Sequence, residues 1–158
     1  MTRNGYIKFY SHAPIEDIKA ENEQVAAILN GDDGSLTFAL LIKSFEFKKA
    51  LMQEHFNENY LESDEFPKAL FKGNILNFSK DMVQKNGEHK VMVSGKLTIH
   101  GQTRDIRAQA TLKVKGNQII GTTKFIVKPE DYHIRIPNAV RNNIAKEIEV
   151  TVLVDLKS

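Results

Sequence analysis

The stretch HKVMVSGKLTIHGQTRDIRAQATLK, residues 89–113, decides the fold of this chain. In its first half, apolar or small side chains occupy alternate positions from Val91 to Ile99, with mostly polar residues between them. In its second half the same alternation runs from Ile106 to Leu112. A period of two places every second side chain on one face of a β-strand. Both halves are therefore predicted to be strands with one buried side and one side that faces solvent.

The turn between these two strands predicts their register. Gly101-Gln102 is a Gly-X pair, which is typical of a two-residue type II′ hairpin. The register that follows brings apolar or small residues together on one face: Leu97 with Ile106, Gly95 with Ala108, Val93 with Ala110, and Val91 with Leu112. A slip of one residue would turn every side chain to the opposite face, so this agreement supports the hairpin.

A second two-residue turn at Gly116-Asn117 predicts the next hairpin. Its register pairs Val114 with Ile119, Leu112 with Gly121, Ala108 with Phe125, and Ile106 with Val127. Alternation also predicts a long final strand within residues 146–156. Rougher alternation predicts further strands from Ile7 to about Pro14, from Glu16 to Leu29, from Leu36 to Ile42, and from Pro67 to Ile75.

One segment departs from the period of two. Between Lys48 and Leu61, the residues Met52, Phe56 and Tyr60 recur every fourth position, and the opposite side is polar. This spacing predicts an amphipathic helix of three to four turns. A second, short helical turn is predicted between Pro129 and Ile144.

About eight antiparallel strands in one sheet leave two exposed edges, and closure into a barrel removes both of them. The predicted fold is an all-β, closed, antiparallel up-and-down β-barrel of lipocalin-like form, with the amphipathic helix near one mouth. A two-sheet sandwich is the alternative. No linker, internal repeat or low-complexity stretch interrupts the sequence, so residues 1–158 are expected to form a single domain.

Composition limits the functions that the chain can have. The 158 residues are 41% apolar and 27% charged, with a formal net charge of +2 and no cysteine. Disulfides and zinc–thiolate sites are therefore excluded. The basic residues form no dense block, which argues against a nucleic-acid partner. The N-terminus carries no apolar signal-peptide core, so an exported mature chain and a cytoplasmic protein both stay open.

The apolar face predicts a cavity. Its small residues are Gly73, Gly95, Ala108, Ala110, Gly121 and Thr123. A barrel of this size holds either packed side chains or one small ligand, and small residues leave room for an alkyl or prenyl chain. The alternative is that Phe38, Phe71 and Phe125 fill the space. The predicted ligand-binding residues are Phe38, Leu40, Ile42, Met52, Phe56, Phe71, Val93, Gly95, Leu97, Ala108, Ala110, Gly121, Phe125, Val150 and Val152.

Two segments resemble a known family. They are KSFEFKKALMQEHFNENYLESDEFPKALFKG at residues 43–73 and GKLTIHGQTRDI at residues 95–106. Together with the long final strand, they are similar to the YceI-like family of lipocalin-like, polyisoprenoid-binding proteins. The resemblance implies a barrel that holds an isoprenoid or a related amphiphile and that is exported to the bacterial periplasm.

The predicted function is binding and carriage of an apolar amphiphile such as a polyisoprenoid, an isoprenoid quinone or a fatty-acid-like lipid. No cofactor is expected apart from this ligand. The five histidines show no metal-ligand spacing, and no catalytic motif is present, so no catalytic or metal-binding residue is predicted. An enzyme acting on a lipid-like substrate and a structural barrel with a filled core are the alternatives. A homodimer and transient contact with a membrane surface stay open as partners.

Overall fold

Antiparallel pairs of neighbouring strands form a closed sheet. The computed structural model describes residues 2–137 and 144–157. Its strands are β1 (Thr2–His12), β2 (Asp17–Leu29), β3 (Ser35–Leu41), β4 (Glu46–Phe47), β5 (Lys68–Ile75), β6 (Gly87–Ile99), β7 (Gln102–Lys115), β8 (Gln118–Val127) and β9 (Ile148–Lys157). Antiparallel pairing of β1 with both β2 and β9 closes the sheet, and β4 is an extra short strand beside β2. The predicted up-and-down barrel is confirmed, and the sandwich alternative is wrong.

The turn between β6 and β7 differs from the predicted one. Its two central residues are His100 and Gly101, with φ angles of 54° and 71°. Two positive φ angles define a type I′ turn, in which glycine takes the second place rather than the first. The strands consequently pair Gly95 with Ile106 and Val93 with Ala108, two residues away from the predicted register. Because a shift of two preserves the face of each side chain, the predicted inward and outward sets survive.

The second predicted hairpin is confirmed close to its turn. Val114 lies opposite Ile119, and Leu112 lies opposite Gly121. The ladder between β7 and β8 ends at the pair Ala110–Thr123. The two remaining predicted pairs, Ala108 with Phe125 and Ile106 with Val127, lie beyond that end and are not part of the ladder.

The predicted amphipathic helix is present over 11 residues, about three turns, but it changes its geometry midway. Helix α1 spans Ala50–His55 and continues directly into a π-helical turn, Phe56–Tyr60. The amide of Leu61 donates to the carbonyl oxygen of Phe56 at 2.9 Å, which is the wider bond of a π-turn. A second helix, α2 (Asp81–Gln84), was not predicted because four residues are too few to show a period.

The helical turn predicted between Pro129 and Ile144 is present as a 3₁₀-helix at Pro129–Tyr132. Part of the predicted interval, residues 138–143, lies outside the described residues. No helix in the described part of the chain is long and apolar enough to span a membrane.

Asn22 bridges a split in the barrel wall. Strand β2 pairs with β3 from Ala26 to Leu29, but nearer its start it pairs with β4 instead. The fully buried Asn22 side chain donates to the carbonyl oxygen of Leu41 at 3.2 Å and accepts from the amide of Gln24 at 2.9 Å. Where the strands separate, this side chain thus provides hydrogen-bond partners for the Leu41 carbonyl and the Gln24 amide.

The two ends of the barrel are closed in different ways. At one end lie the long connections after β3 and after β8, together with the β6–β7 turn; we call this the helix end. At the other end, Phe78, Met82 and Val83 pack against the main core from the β5–β6 connection. Phe78 lies so close to Gly34 that a β-carbon there would approach its ring within 2.5 Å. The opposite end is thereby closed by packed side chains.

Candidate functional site

A cavity of about 190 Å³ occupies the helix end of the barrel, and we call it the upper chamber. Its walls come from the barrel strands, from α1 with its π-turn and from the connection after β8. Alternation along the strands explains the wall, because each strand points one side chain in every two inward. The helix contributes Met52, Phe56 and Tyr60, which are the three residues of its predicted apolar stripe.

Four phenylalanines form an aromatic cluster on one side of the upper chamber. The ring centroid of Phe56 lies 5.3 Å from that of Phe9, 5.7 Å from that of Phe45 and 5.0 Å from that of Phe47. These contacts fix the helix against the mouth, since aromatic pairs at such distances are favourable beyond the area that they bury. The cluster is a rigid apolar wall for whatever occupies the chamber.

The upper chamber offers almost no polar chemistry. None of its described lining residues is charged. The Ser11 hydroxyl accepts a hydrogen bond from the amide of Ala145 at 2.8 Å, so it is already engaged. Burial raises the pKa of the Tyr60 phenol above its ordinary value, so this hydroxyl is neutral at physiological pH. Such walls accommodate a hydrocarbon and provide no counter-charge for a buried ion.

A second cavity of about 110 Å³ lies deeper in the barrel, and we call it the lower chamber. Ile7, Leu97 and Phe125 line both chambers, so these three residues form a neck between them. No described lining residue of the lower chamber is charged either. Among its polar residues, the Thr123 hydroxyl donates to the carbonyl oxygen of Gln109 at 2.7 Å. The interior thus holds two apolar chambers that adjoin at the neck.

Phe71 covers a pair of glycines on the wall of the lower chamber. Gly73 and Gly95 lie opposite each other on β5 and β6. A β-carbon on Gly95 would come within 2.5 Å of the Gly73 Cα and 2.7 Å of the Phe71 ring. The strands therefore approach too closely for any side chain, and the ring takes the space instead. Phe38 packs edge-on against Phe71 with centroids 6.2 Å apart.

Fourteen of the 15 residues predicted to bind ligand line one chamber or the other, and Gly95 lines neither. The upper chamber has Leu40, Ile42, Met52, Phe56 and Val150; the neck has Leu97 and Phe125; the lower chamber has Phe38, Phe71, Val93, Ala108, Ala110, Gly121 and Val152. Gly95 lies beneath the Phe71 ring. The ligand-binding role of these residues stays a prediction.

The alternative of a barrel with a filled core agrees with the positions of two phenylalanines. Phe71 covers glycines that were expected to leave empty space, and Phe125 lies between the two chambers. Two cavities nevertheless remain on either side of Phe125.

Sequence reasoning missed the lining residues that come from the connections. Phe45 and Phe47 precede the helix, and Ile134, Ile136 and Ile144 belong to the connection after β8. Irregular segments have no period from which a facing direction can be read. The Ile134-Arg135-Ile136 alternation is a signal that could have found two of them.

His100 joins the loops around the mouth. Its Nδ1 lies 3.0 Å from the carbonyl oxygen of Tyr132, and its Nε2 lies 3.1 Å from Oε1 of Glu62. The Phe66 ring packs edge-on against the imidazole, with centroids 4.7 Å apart. These contacts bury the imidazole at the rim of the barrel, where His100 is only 9% exposed.

No group of three or more His, Asp or Glu side chains within the described ranges is arranged to hold a metal ion. The fold and the cavity together define a closed β-barrel with an apolar interior.

Comparison with known proteins identifies the family. The sequence matches the YceI-like domain over residues 2–156, and the chain therefore belongs to the YceI-like domain family. No curated protein matches it.

Solved structures from three bacteria have a similar fold. BcnA of Burkholderia cenocepacia is 16% identical with a TM-score of 0.81, over 97% of this chain and 96% of that one. A polyisoprenoid-binding domain from Saccharophagus degradans, implicated in plant cell wall breakdown, is 13% identical with a TM-score of 0.83, over 99% and 95%. The YceI protein of Campylobacter jejuni is 15% identical with a TM-score of 0.73, over 93% and 88%.

Proposed function

We propose that this protein binds and carries an apolar amphiphile, such as a polyisoprenoid, an isoprenoid quinone or a fatty-acid-like lipid, inside its barrel. The observation that carries the proposal is the upper chamber of about 190 Å³, whose described walls hold no charged side chain. An apolar chain moved from water into such a space gains roughly 0.8 kcal/mol for each CH₂ group that it buries.

The arrangement of the tube supports a chain-like ligand. The upper and lower chambers adjoin at the neck formed by Ile7, Leu97 and Phe125. A thin hydrocarbon chain can pass a constriction between side chains, whereas a fused ring system is held above it. The ligand is therefore a molecule with a narrow apolar tail, and its wider or more polar end lies at the helix end.

Family membership and one structural neighbour support the same class of ligand. The Saccharophagus degradans domain with the same fold is described as polyisoprenoid-binding. As part of this proposal the protein acts as a carrier rather than an enzyme, and it works in the periplasm or otherwise outside the cytoplasm. Cell fractionation with an antibody checks the location.

Uptake of an apolar fluorophore, followed by its displacement, tests the proposal. We expect the dye's emission to rise on mixing with the ligand-stripped protein and to fall again when a prenyl alcohol or a long-chain alcohol is added. Native mass spectrometry of the protein as purified should show adducts, and organic extraction should release the same mass. A protein that takes up no dye and carries no adduct would be a barrel with a filled core.

A helix variant locates the binding. Replacing Met52 and Phe56 with Asp puts carboxylates on the wall of the upper chamber, so dye uptake should fall sharply. The matched control is Leu51→Asp, because Leu51 lies on the same helix and its side chain is 64% exposed. Equal loss of dye binding in both variants would contradict the assignment of the upper chamber. Turnover of esters or amides that one polar substitution abolishes would favour the enzyme alternative.

A further inference from the structure

One side of the barrel is strongly basic, although the whole chain carries only +2. Strands β5 to β8 are neighbours in the sheet, and they hold nine basic residues against two acidic ones, Glu88 and Asp105. The basic residues are Lys68, Lys72, Lys90, Lys96, Arg104, Arg107, Lys113, Lys115 and Lys124, and all nine are exposed. The remaining 13 basic and 18 acidic residues give the rest of the chain a net charge of −5. Eight of these side chains lie on the outer surface of β5 to β8, which we call the basic face, whereas Arg104 lies opposite the inward-facing Leu97, on the inner side of the sheet near the β6–β7 turn.

Most cations of the basic face lack an acidic partner. Two of the eight pair with carboxylates: Lys96 with Asp105 at 3.0 Å and Lys124 with Glu149 at 3.4 Å. Within the described residues the other six make no ion pair. Lys72 even lies directly opposite Lys96 on the neighbouring strand, and like charges in that position destabilise a sheet. Stability of the fold therefore does not account for this arrangement.

We propose that the basic face docks the barrel side-on against a membrane surface that contains anionic phospholipids. Lysines near such a surface are attracted by its negative potential, and the contributions of several lysines add. Seven of the eight cations of the basic face are lysines, and a lysine ammonium can bind phosphate charge without a fixed geometry. Exposed apolar side chains of Met92 and Ile126 lie on the same strands and can enter the headgroup layer.

Nucleic acid fits the basic face less well. Single-strand binding surfaces combine cations with aromatic side chains on which bases stack. The aromatic residues of β5 to β8 are Phe71 and Phe125, and both of them line the interior. The outer surface of these strands thus presents positive charge but no Phe, Tyr or Trp side chain on which a base could stack.

Docking by the basic face would bring the mouth of the upper chamber beside the lipid source. The connections that cover the mouth lead into β5 and out of β8, which are the two outer strands of this face. Membrane docking would serve the proposed lipid carriage and in that respect rests on it. Binding to vesicles depends on the charge of the basic face, whereas dye uptake depends on the chambers, so each can be present without the other.

Co-sedimentation with vesicles tests the proposal. We expect the protein to bind vesicles of phosphatidylcholine mixed with phosphatidylglycerol but not vesicles of phosphatidylcholine alone. High salt should release the bound protein. Equal binding to both vesicle types, or no binding to either, would overturn the proposal. Binding to single-stranded DNA but not to anionic vesicles would also overturn it, in favour of a nucleic-acid partner.

Two triple variants distinguish the effect of the basic face on vesicle binding from the effect of net charge. Lys72→Glu, Lys90→Glu and Lys113→Glu reverse three unpaired cations on β5, β6 and β7. The matched control, Lys8→Glu, Lys48→Glu and Lys146→Glu, changes the net charge equally but lies outside β5 to β8. The first triple should weaken anionic-vesicle binding by more than about tenfold and the control by much less.

An equal loss in both triples would contradict the proposal. Circular dichroism checks that each triple is folded. The triple with glutamine at positions 72, 90 and 113 provides the same comparison with a milder change, should charge reversal disturb the sheet. Dye uptake, measured in the same proteins, should be unchanged in every triple, because none of the substituted residues lines a chamber.

Discussion

The imidazole of His100 lies between Glu62 and the carbonyl oxygen of Tyr132, with Nε2 3.1 Å from Oε1 of Glu62. Glu62 belongs to the connection that carries the helix, and Tyr132 belongs to the connection after β8. One side chain in the β6–β7 turn therefore holds together the two connections that cover the upper chamber.

Replacing His100 with Asn should loosen the mouth. Asparagine tolerates the positive φ of this turn position, so the turn is kept while both hydrogen bonds are lost. We expect a loss of about 1–3 kcal/mol in the free energy of unfolding in urea. Amide hydrogen exchange should accelerate in residues 62–66 and 132–136. The milder variant Glu62→Gln keeps a hydrogen-bond acceptor and should lose less; exchange that is unchanged in His100→Asn would contradict the linking role.

The close approach of Gly73 and Gly95 predicts that a substitution of Gly95 lowers the free energy of unfolding. In Gly95→Ala the new methyl group meets the Gly73 Cα and the Phe71 ring within 3 Å, so the strands must separate or the ring must move. We expect a cost of roughly 1–3 kcal/mol from overpacking, measured by urea unfolding. Gly31→Ala is the control, since its nearest neighbour, a methyl of Val83, is 3.6 Å away and the change should stay within about 0.5 kcal/mol. Similar stability of the two variants would be inconsistent with this packing.

Filling the lower chamber should shorten the chain that the barrel accepts. Ala110 lines this chamber, and Ala110→Leu extends a side chain into its space of about 110 Å³. Thermal unfolding of the ligand-stripped variant should change little, whereas a packed interior would cost about 1–3 kcal/mol. In a series of straight-chain alcohols, the longest should lose affinity by about fourfold for each displaced CH₂ group, and short ones should bind as before. Uniform weakening at all lengths would argue against separate chambers.

Alkaline pH should destabilise the barrel through two buried tyrosines. Burial raises the pKa values of Tyr60 and Tyr132 above the ordinary value of 10.0. Above pH 10 the unfolded chain loses these protons while the folded chain keeps them, so stability is full below that pH and falls as the pH rises. Each tyrosine contributes a slope of up to about 1.4 kcal/mol per pH unit. The double variant Tyr60→Phe, Tyr132→Phe should show a shallower decline in urea titrations above pH 10, and an identical decline would show that other groups are responsible.

Sequence periodicity was sufficient to predict the barrel, because one face of each strand is buried. From Val91 to Ile99 the alternation identified the inward set, and a register error of two residues left that set unchanged. The turn itself was misassigned because Gly-X and X-Gly pairs differ in which residue takes a positive φ. His100 adopts φ 54° within a tertiary contact to Tyr132, and no local signal reveals that contact.

The site was harder to predict than the fold. Inward-facing positions on strands could be identified one by one, but the empty volume depends on how side chains from different strands fit together. Phe71 illustrates this, because its ring covers the very glycines that were expected to leave space. The aromatic wall at Phe45 and Phe47 arises where β4 pairs with β2, a contact between distant segments that has no periodic signature.

The pairing of β1 with β9 determines when the barrel can close during synthesis. Ile7 lies opposite Val152, so β1 gains its partner on one side only after β9 has been synthesised. Until then β1 and β8 are open edges with unpaired backbone groups, which are prone to pair with other chains. We expect the barrel to stay open until β9 has left the ribosome, and the nascent chain to depend on chaperones or on its own exposed lysines to avoid aggregation during that interval.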